Sequence, residues 1–219
     1  MKKRTALVIG ATGMVGRELI SQLLVNENYS LVKVFTRRSL EFKHEKLVET
    51  MVDFNQLSTW RSEIQGDVLF SSLGTTIKKA GSKELQYKID YTYQFETARV
   101  AAENSVWSYV LVSSQGANSD SKIFYPQMKG QLDETIEKLP FKKATIMRPS
   151  ILDGDRKESR PMEQFALKLM RRMAAWGLLK KYKPIHAKVV AAAMINADLT
   201  GADAYSIVDH LEMFELAEG

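Results

Sequence analysis

Two residues with acid–base chemistry, Tyr125 and Lys129, stand four positions apart in the segment YPQMKG. Residues at this spacing lie side by side on a helix. A free tyrosine has a pKa of about 10, and a neighbouring ammonium group stabilises the phenolate and lowers that pKa. Ser114, in the preceding segment VSSQGA, can hydrogen-bond a substrate oxygen and orient it. We therefore predict that Ser114, Tyr125 and Lys129 are catalytic residues of a proton-transfer site.

The position of this pair in the chain favours catalysis over an ordinary surface pair. A Tyr-x-x-x-Lys spacing also occurs by chance on exposed helices, but here it follows a predicted strand that ends in two serines. Ligands of open α/β sheets bind at the carboxyl ends of such strands. Pro126 disfavours a helical conformation at Tyr125, so the geometry requires that Pro126 lie in the first turn of the helix.

A glycine-rich segment, GATGMVG, connects the first predicted strand to the first predicted helix. In this position, glycines let backbone N–H groups and the helix N-terminus approach an anion, usually a dinucleotide pyrophosphate. Gly10 permits the tight turn, Gly13 the approach of the phosphates, and Gly16 the close packing of helix on strand. The alternative is a tight connection without a ligand. The predicted cofactor-binding residues here are Gly10, Thr12, Gly13, Met14, Val15 and Gly16.

The end of the second predicted strand indicates which dinucleotide binds. An acidic residue there would accept hydrogen bonds from the ribose of NAD, whereas an arginine would pair with the 2′-phosphate of NADP. The segment FTRRSL has no acidic residue and contains Arg37 and Arg38, whose guanidinium groups suit bidentate phosphate contacts. We therefore predict that NADP(H) is preferred over NAD(H). The alternative is that both arginines are surface residues of a loop and bind no phosphate.

Two further loops are predicted to line the cofactor. Asp53 and Phe54, after the third strand, could hold an adenine by hydrogen bonding and stacking, although an aspartate at a strand end is often a turn residue. The segment of Leu73, Gly74 and Thr75 ends the fourth strand with small residues, so its backbone can run beside the cofactor.

The elements that must position these residues alternate along the chain. Strands are predicted at 5–9, 31–35, 47–52, 68–71, 108–112, 144–147 and 205–208, and helices at 14–24, 83–103, 126–139, 162–177 and 186–198. This alternation predicts an α/β fold, a doubly wound parallel sheet with helices on both faces. We expect a single domain over 1–219, with a small substrate-side insertion at about 153–185 that includes the charged segment 155–161.

Composition restricts the other classes of function. The net charge of +5 is scattered, without the aromatic platform of single-strand binders, so we do not expect a nucleic-acid partner. The chain contains no cysteine, and its three histidines, His44, His186 and His210, lack metal-ligand spacing; we expect no metal and assign the histidines to structural or surface positions. The short apolar run after MKKR resembles neither a signal peptide nor a membrane span, so we expect a cytoplasmic protein.

Across these motifs the chain resembles the short-chain dehydrogenase/reductase superfamily, and within it the atypical branch that includes the HIV Tat-interacting protein and bacterial NAD(P)-binding relatives. The segment RPSILDGDRKESRP adds to the likeness, which covers nearly the whole chain. The resemblance implies a Rossmann-like fold in which Tyr125 is the catalytic acid/base and Lys129 lowers its pKa and bonds the nicotinamide ribose. It further implies that Ser114, in preference to Ser113, polarises a carbonyl group, and that Pro149 and Ser150 border the nicotinamide.

Three functions are compatible with this sequence. The first is an NADPH-dependent oxidoreductase that acts on a small carbonyl or hydroxyl compound. The second is an NADP(H)-binding regulatory or protein-interaction module with little or no turnover, because a fold and even a complete site do not guarantee a function. The third is a sugar-nucleotide epimerase or dehydratase, which the short C-terminal part of the chain disfavours. The sequence does not determine the substrate, the oligomeric state or any protein partner.

Overall fold

The computed structural model describes residues 3–153, 183–201 and 204–219. Its main strands are β1 (Arg4–Ile9), β2 (Tyr29–Thr36), β3 (Leu47–Met51), β4 (Val68–Ser71), β5 (Ser108–Val112), β6 (Lys143–Arg148) and β9 (Tyr205–Asp209). A separate pair consists of β7 (Leu152–Asp153) and β8 (Ile185–His186). The helices are α1 (Met14–Val25), α2 (Ile77–Ala80), α3 (Lys83–Tyr87), α4 (Tyr93–Glu103), α5 (Phe124–Glu137), α6 (Ala187–Leu199) and α7 (Glu212–Glu218).

The seven main strands form one parallel sheet in the order β3-β2-β1-β4-β5-β6-β9. The strand order reverses between β1 and β4, so the chain leaves these neighbouring strands in opposite directions. In open α/β sheets, the crevice at the carboxyl ends of the strands at such a point is where ligands bind. The predicted doubly wound α/β fold is therefore confirmed.

The core lies on both faces of the sheet because the central strands are apolar throughout. Along β1, Ala6 and Val8 pack into the apolar layer that contains α1 and α6, and Leu7 and Ile9 into the opposite layer with α4 and α5. All four of these side chains are fully buried. A strand that is buried on both faces needs this continuous apolar run, which is why the sequence predicted it as a central strand.

The structure differs from the predicted elements in several places, among them the short strands β7 and β8, which were not predicted. The predicted helix over 83–103 is broken into α3, a π-helical turn at Lys88–Thr92, and α4. Helix α5 begins at Phe124, earlier than predicted. Short 3-10 segments at Phe54–Thr59 and Arg61–Glu63, together with α2 and α7, were not predicted.

Two predictions lie outside the described residues. The predicted helix at 162–177 and the charged segment 155–161 fall there, as does nearly all of the predicted insertion at 153–185. Among the helices that the structure describes, we find none with the length and apolar character needed to cross a membrane.

Candidate active site

The glycine turn joins β1 to α1 at the centre of the sheet's carboxyl edge. Gly10 has a φ of +88°, and a Cβ there would lie 2.4 Å from the backbone carbon of Ser72. A Cβ on Gly16 would lie 2.2 Å from the carbonyl oxygen of Gly10. Both glycines are therefore required by the packing of the chain against itself. Gly13 is different, because it is exposed and a Cβ there would lie no closer than 3.2 Å to the Gly10 oxygen and 3.8 Å to the Ser72 oxygen.

Helix α1 begins directly after this turn. Its N-cap residue is Gly13, which makes no side-chain cap hydrogen bond. Thr12 is exposed and Met14 is half-buried, whereas the side chain of Val15 is buried in the core. Val15 could therefore contribute to a phosphate site only through its backbone.

A narrow cleft extends from this turn towards the end of β2. Both Arg37 and Arg38 are exposed, and the Thr36 hydroxyl donates a hydrogen bond to the carbonyl oxygen of Arg38 at 2.8 Å. The structure thus brings several predicted cofactor residues to one place, together with three that sequence reasoning missed. The cleft is lined by Gly10, Ala11, Thr12, Phe35, Thr36, Arg37, Arg38, Phe54 and Leu73.

Asp53 has a local structural role in addition to its predicted one. Its carboxylate accepts hydrogen bonds from the backbone N–H and the side-chain amide of Asn55, each at 2.9 Å, and so caps the 3-10 segment that follows. These bonds hold the pKa of Asp53 below its ordinary value. Phe54 is buried, with its ring 5.3 Å from that of Tyr93 in a stacked arrangement. Adenine binding by Asp53 and Phe54 stays a prediction.

The loop after β4 passes beside the turn and is connected to a buried carboxylate. A Cβ on Gly74 would meet nothing within 4 Å, so this stretch faces open space. The backbone N–H of Thr75 donates to Asp90 at 2.8 Å, and the side chain of Gln86 donates to the Thr75 carbonyl oxygen at 3.1 Å. Asp90 lies on the π-helical turn, and it therefore fixes the shape of the loop.

The predicted catalytic residues lie at the carboxyl edge after β5. Pro126 is the third residue of α5 and so lies in its first turn, where its missing N–H has no helical partner to lose. The sequence required Pro126 to lie in the first turn of this helix if Tyr125 and Lys129 were to be one turn apart, and the structure meets this requirement. Ser114 is half-buried and its hydroxyl donates to the carbonyl oxygen of Gln115 at 3.3 Å, and Tyr125 is 39% exposed.

Lys129 is not among the groups that shift the pKa of Tyr125, so the lowering of that pKa by Lys129 stays a prediction. The pKa of Tyr125 is raised to about 12, chiefly by desolvation and also by the charges of Asp90 and Asp133, while Ser114 opposes this rise. The ammonium group of Lys129 is buried and donates to the carbonyl oxygen of Val112 at 3.1 Å. Burial lowers the pKa of Lys129, and the negative charges of Asp90 and Asp133 oppose this shift.

Sequence reasoning missed the two buried aspartates that flank Lys129. Burial raises the pKa of Asp90 to about 6, and its Oδ2 has no hydrogen-bond partner. Asp133, four residues after Lys129 on α5, pairs with Arg148 at 2.9 Å, and burial raises its pKa as well. The i, i+4 spacing of Lys129 and Asp133 was a signal in the sequence, whereas the approach of Asp90 from another element was not.

The loop after β6 completes the edge. The carbonyl oxygen of Pro149 accepts a hydrogen bond from the Gln115 N–H at 2.9 Å, and the Ser150 hydroxyl donates to the carbonyl oxygen of Lys183 at 2.7 Å. The Ser150 N–H donates to Nδ1 of His210 at 3.4 Å. His210 is buried, which lowers its pKa, and so it belongs to this edge as a structural residue. Within the described residues, no group of three or more potential ligands could hold a metal ion.

The described residues form a Rossmann-type α/β fold with a glycine turn at the switch point of its sheet. No family model matches the chain. Protein fmp52, mitochondrial, from Aspergillus fumigatus is 35% identical over 205 residues, which cover 90% of this chain and 87% of that protein. Protein HTATIP2 from Rattus norvegicus is 34% identical over 172 residues, which cover 77% of this chain and 71% of that protein. The chain therefore belongs to the family of Fmp52 and HTATIP2.

Solved structures show the same fold at low sequence identity. The enzyme WbmH from Bordetella bronchiseptica, in complex with NAD+, superimposes with a TM-score of 0.72 at 13% identity, covering 95% of this chain and 76% of that one. A short chain dehydrogenase family protein from Francisella tularensis has a TM-score of 0.67 at 13% identity, covering 98% and 99%. At such identities these likenesses establish the fold alone.

The expected cytoplasmic location is wrong. The Fmp52 relatives from Aspergillus fumigatus and Candida glabrata are named as mitochondrial proteins. The expectation rested on the absence of cysteine and of an apolar leader. These two features do not distinguish the cytoplasm from another compartment in which proteins lack disulfides.

Proposed function

We propose that this chain is an NADP(H)-dependent oxidoreductase that transfers a hydride between the cofactor and a small carbonyl or hydroxyl substrate, with Tyr125 as the acid/base. One observation carries the proposal: the glycine turn with Arg37 and Arg38, and the pair of Ser114 and Tyr125, open on the same edge of one parallel sheet. A dinucleotide that lies across the switch point of such a sheet reaches both places.

The residues present fit a dinucleotide phosphate. Gly13 is exposed and precedes α1 without a side-chain cap, and a Cβ on Gly74 would meet nothing within 4 Å. Helix N-termini stabilise phosphate charge, and exposed arginines match a 2′-phosphate with bidentate geometry. Val15 and Gly16 support this turn through the backbone and packing.

The acid–base roles follow from the state of Tyr125. When bound, NADPH supplies the hydride. Tyr125 is protonated at neutral pH, so its hydroxyl can donate a proton to a carbonyl oxygen as negative charge develops there. Ser114 hydrogen-bonds the same oxygen and orients it.

Lys129 contributes positive charge to this site from a buried position. Its ammonium group donates to the carbonyl oxygen of Val112, and the negative charges of Asp90 and Asp133 raise its pKa against the effect of burial. We assign it the predicted role of bonding the nicotinamide ribose, together with Pro149 and Ser150 as neighbours of the nicotinamide ring.

Cofactor preference is tested by fluorescence titration with NADPH and NADH. We expect NADPH to bind at least about tenfold more tightly, a difference of about 1.4 kcal/mol, and the double variant Arg37→Ala/Arg38→Ala to lose most of this preference. Lys43→Ala removes an exposed positive charge from the same loop and serves as the control. Equal affinities of the wild-type chain for both nucleotides would refute the assignment of the arginines.

Catalysis is tested by NADPH consumption with aldehydes, ketones, quinones and flavins. We expect Tyr125→Phe to abolish carbonyl reduction and to leave NADPH binding unchanged, because only the hydroxyl is removed. Tyr205→Phe, at the amino end of β9, controls for the loss of a tyrosine hydroxyl elsewhere. Normal turnover by Tyr125→Phe would rule out the proton-transfer role.

A second candidate function is an NADP(H)-binding regulatory or interaction module. The observation that favours it is the raised pKa of Tyr125 beside a lysine that is engaged with Val112. Tight NADPH binding without turnover of any carbonyl compound would support this function over the first.

A further inference from the structure

A chain of buried hydrogen bonds joins the end of β4 to the π-helical turn. The Ser71 hydroxyl donates to the side-chain oxygen of Gln94 at 2.7 Å, and the Gln94 side-chain amide donates to the carbonyl oxygen of Asp90 at 2.5 Å. All three residues are buried. Burying polar groups costs free energy unless they are hydrogen-bonded, so these bonds favour one arrangement of the strand and the turn.

The side chain of Asp90 extends this chain to the predicted cofactor loop after β4. Its Oδ1 accepts a hydrogen bond from the Thr75 N–H at 2.8 Å, and the Thr75 carbonyl oxygen accepts one from the side-chain amide of Gln86, which is also buried, at 3.1 Å. Thr75 directly follows Gly74, where a Cβ would meet nothing within 4 Å. The position of the loop that faces this open space therefore depends on Asp90 and Gln86.

The π-helical turn is also bonded to α5, the helix of the predicted acid–base pair. The hydroxyl groups of Tyr91 and Thr135 are hydrogen-bonded at 3.0 Å, and the Tyr87 hydroxyl donates to the side-chain oxygen of Gln131 at 3.4 Å. The rings of Tyr87 and Tyr91 are stacked, with centroids 4.8 Å apart. The turn thus contacts both the cofactor loop and α5.

The charges buried in this region have to be compensated. Lys129, Asp90 and Asp133 are each at most 2% exposed, and the side chain of Arg148 is 24% exposed. Arg148 pairs with Asp133 through two nitrogens, at 2.9 and 3.0 Å, whereas Lys129 donates to the uncharged carbonyl group of Val112. Buried charges are stable only when opposite charges compensate them. Asp90, whose Oδ2 has no hydrogen-bond partner among the described residues, is the carboxylate that remains for Lys129.

The electrostatic effects on Lys129 agree with this assignment. Burial lowers the pKa of Lys129, and the charge of Asp90 opposes this shift more than that of Asp133 does. Tyr125, one turn earlier on α5, is uncharged at neutral pH. Three lysines of the neighbouring segments are exposed, so that water and salt screen their charges: Lys83, Lys88 and Lys122.

We propose that Asp90 is a positioning residue of the cofactor site: one carboxylate oxygen fixes the loop after β4, and the negative charge keeps the buried Lys129 in the ammonium form. This inference rests on the proposed binding of NADP(H), in which Lys129 bonds the nicotinamide ribose. An ammonium group forms a stronger, charge-assisted hydrogen bond to a ribose hydroxyl than a neutral amine does. Both contacts with the cofactor therefore depend on Asp90.

Fluorescence titration with NADPH between about pH 7 and 10 tests the role of the charge. We expect the wild-type affinity to fall as Lys129 loses its proton, and Lys129→Met to bind weakly without this fall. Asp90→Asn keeps an acceptor for the Thr75 N–H but removes the charge, so the midpoint of the fall should move to lower pH by about one unit. Asp90→Ser removes the same charge and is the second variant. Asp198→Asn alters a buried aspartate at the amino edge of the sheet and should keep the wild-type midpoint.

The role of the loop is tested separately by titration at about pH 7. Gln86→Met keeps the size of the side chain and removes the donor to Thr75, so the affinity for NADPH should fall about fivefold while the pH midpoint stays at the wild-type value. Gln22→Met is the matched control, because Gln22 also donates to a backbone carbonyl oxygen, that of Lys188 at 3.0 Å, and lies on α1 away from this loop.

The outcomes separate this inference from the function beneath it. A wild-type chain that binds no NADPH at any of these pH values overturns the proposed function and this inference with it. NADPH binding with the same pH dependence in wild type and both Asp90 variants, or a fall that persists in Lys129→Met, overturns the role of the charge alone. Unchanged affinity of Gln86→Met overturns the role of the loop. A shifted midpoint in the Asp90 variants together with weaker binding by Gln86→Met supports both roles.

Discussion

Asp90→Asn is expected to reduce the pH dependence of folding stability. Asp90 is 1% exposed, and burial raises its pKa from 3.8 to about 6 in the folded chain. A carboxyl group whose pKa is raised by folding is bound to its proton more tightly in the native state than in the unfolded state. Its ionisation therefore destabilises the fold as the pH rises through about 4 to 6, and stability returns as the pH falls.

The size of this effect follows from the two pKa values. With a pKa of 3.8 unfolded and about 6 folded, the Asp90 contribution to the free energy of unfolding increases by about 1.3 kcal/mol when the pH falls from about 7 to 5. Asparagine keeps an acceptor for the Thr75 N–H and does not titrate, so the variant should lack this increment.

Urea unfolding, followed by tryptophan fluorescence at both pH values, measures the difference. The wild-type chain contains other buried carboxylates, Asp133 and Asp198, so the quantity of interest is the change between wild type and variant. Asp120→Asn removes an exposed carboxylate near the same edge and should keep the wild-type pH dependence. If Asp90→Asn shows the same pH dependence as wild type, Asp90 titrates as an ordinary carboxylate and its assigned environment is incorrect.

Three further predictions concern packing and polar contacts. Gly16→Ala should destabilise the chain by several kcal/mol or prevent folding, because its Cβ would lie 2.2 Å from the Gly10 oxygen, as measured by urea unfolding. Gly74→Ala should change stability by less than about 0.5 kcal/mol, since its Cβ meets nothing within 4 Å, but should weaken NADPH binding in a fluorescence titration; unchanged affinity would remove this loop from the cofactor site. Asp198→Ala should cost about 3–5 kcal/mol in urea unfolding, because it leaves the paired Arg4 and the hydroxyls of Tyr29 and Ser108 without their buried acceptor; a cost below about 1 kcal/mol would contradict this account.

Local chemistry in the sequence predicted the strands and the glycine turn correctly. Continuous apolar runs such as Ala6–Ile9 need burial on both faces, and this requirement is a property of the strand itself. Gly10 must adopt a positive φ and Gly16 must approach the preceding turn, so their types follow from the connection between β1 and α1. The placement of Pro126 in the first turn of α5 likewise follows from the proline ring.

Contacts between distant parts of the chain could not be predicted in this way. The pKa of Tyr125 depends on Asp90, which approaches from the π-helical turn, and the sequence predicted only the nearby Lys129. The packing of His210 against Ser150 joins two loops that are 60 positions apart. Asp53 was predicted as a cofactor residue. In the structure its carboxylate also accepts hydrogen bonds from Asn55 and Gln56 and so caps the segment that follows.

The sequence by itself determined the doubly wound sheet, the glycine turn and the spacing of Ser114, Tyr125 and Lys129, because these depend on residue type and on short-range periodicity. The tertiary structure alone decided the direction in which the pKa of Tyr125 shifts and the burial of Lys129, whose pKa responds to the charges of Asp90 and Asp133. The physical reason is that desolvation and charge interactions depend on which side chains surround a group in space, and those neighbours come from separate elements of the fold.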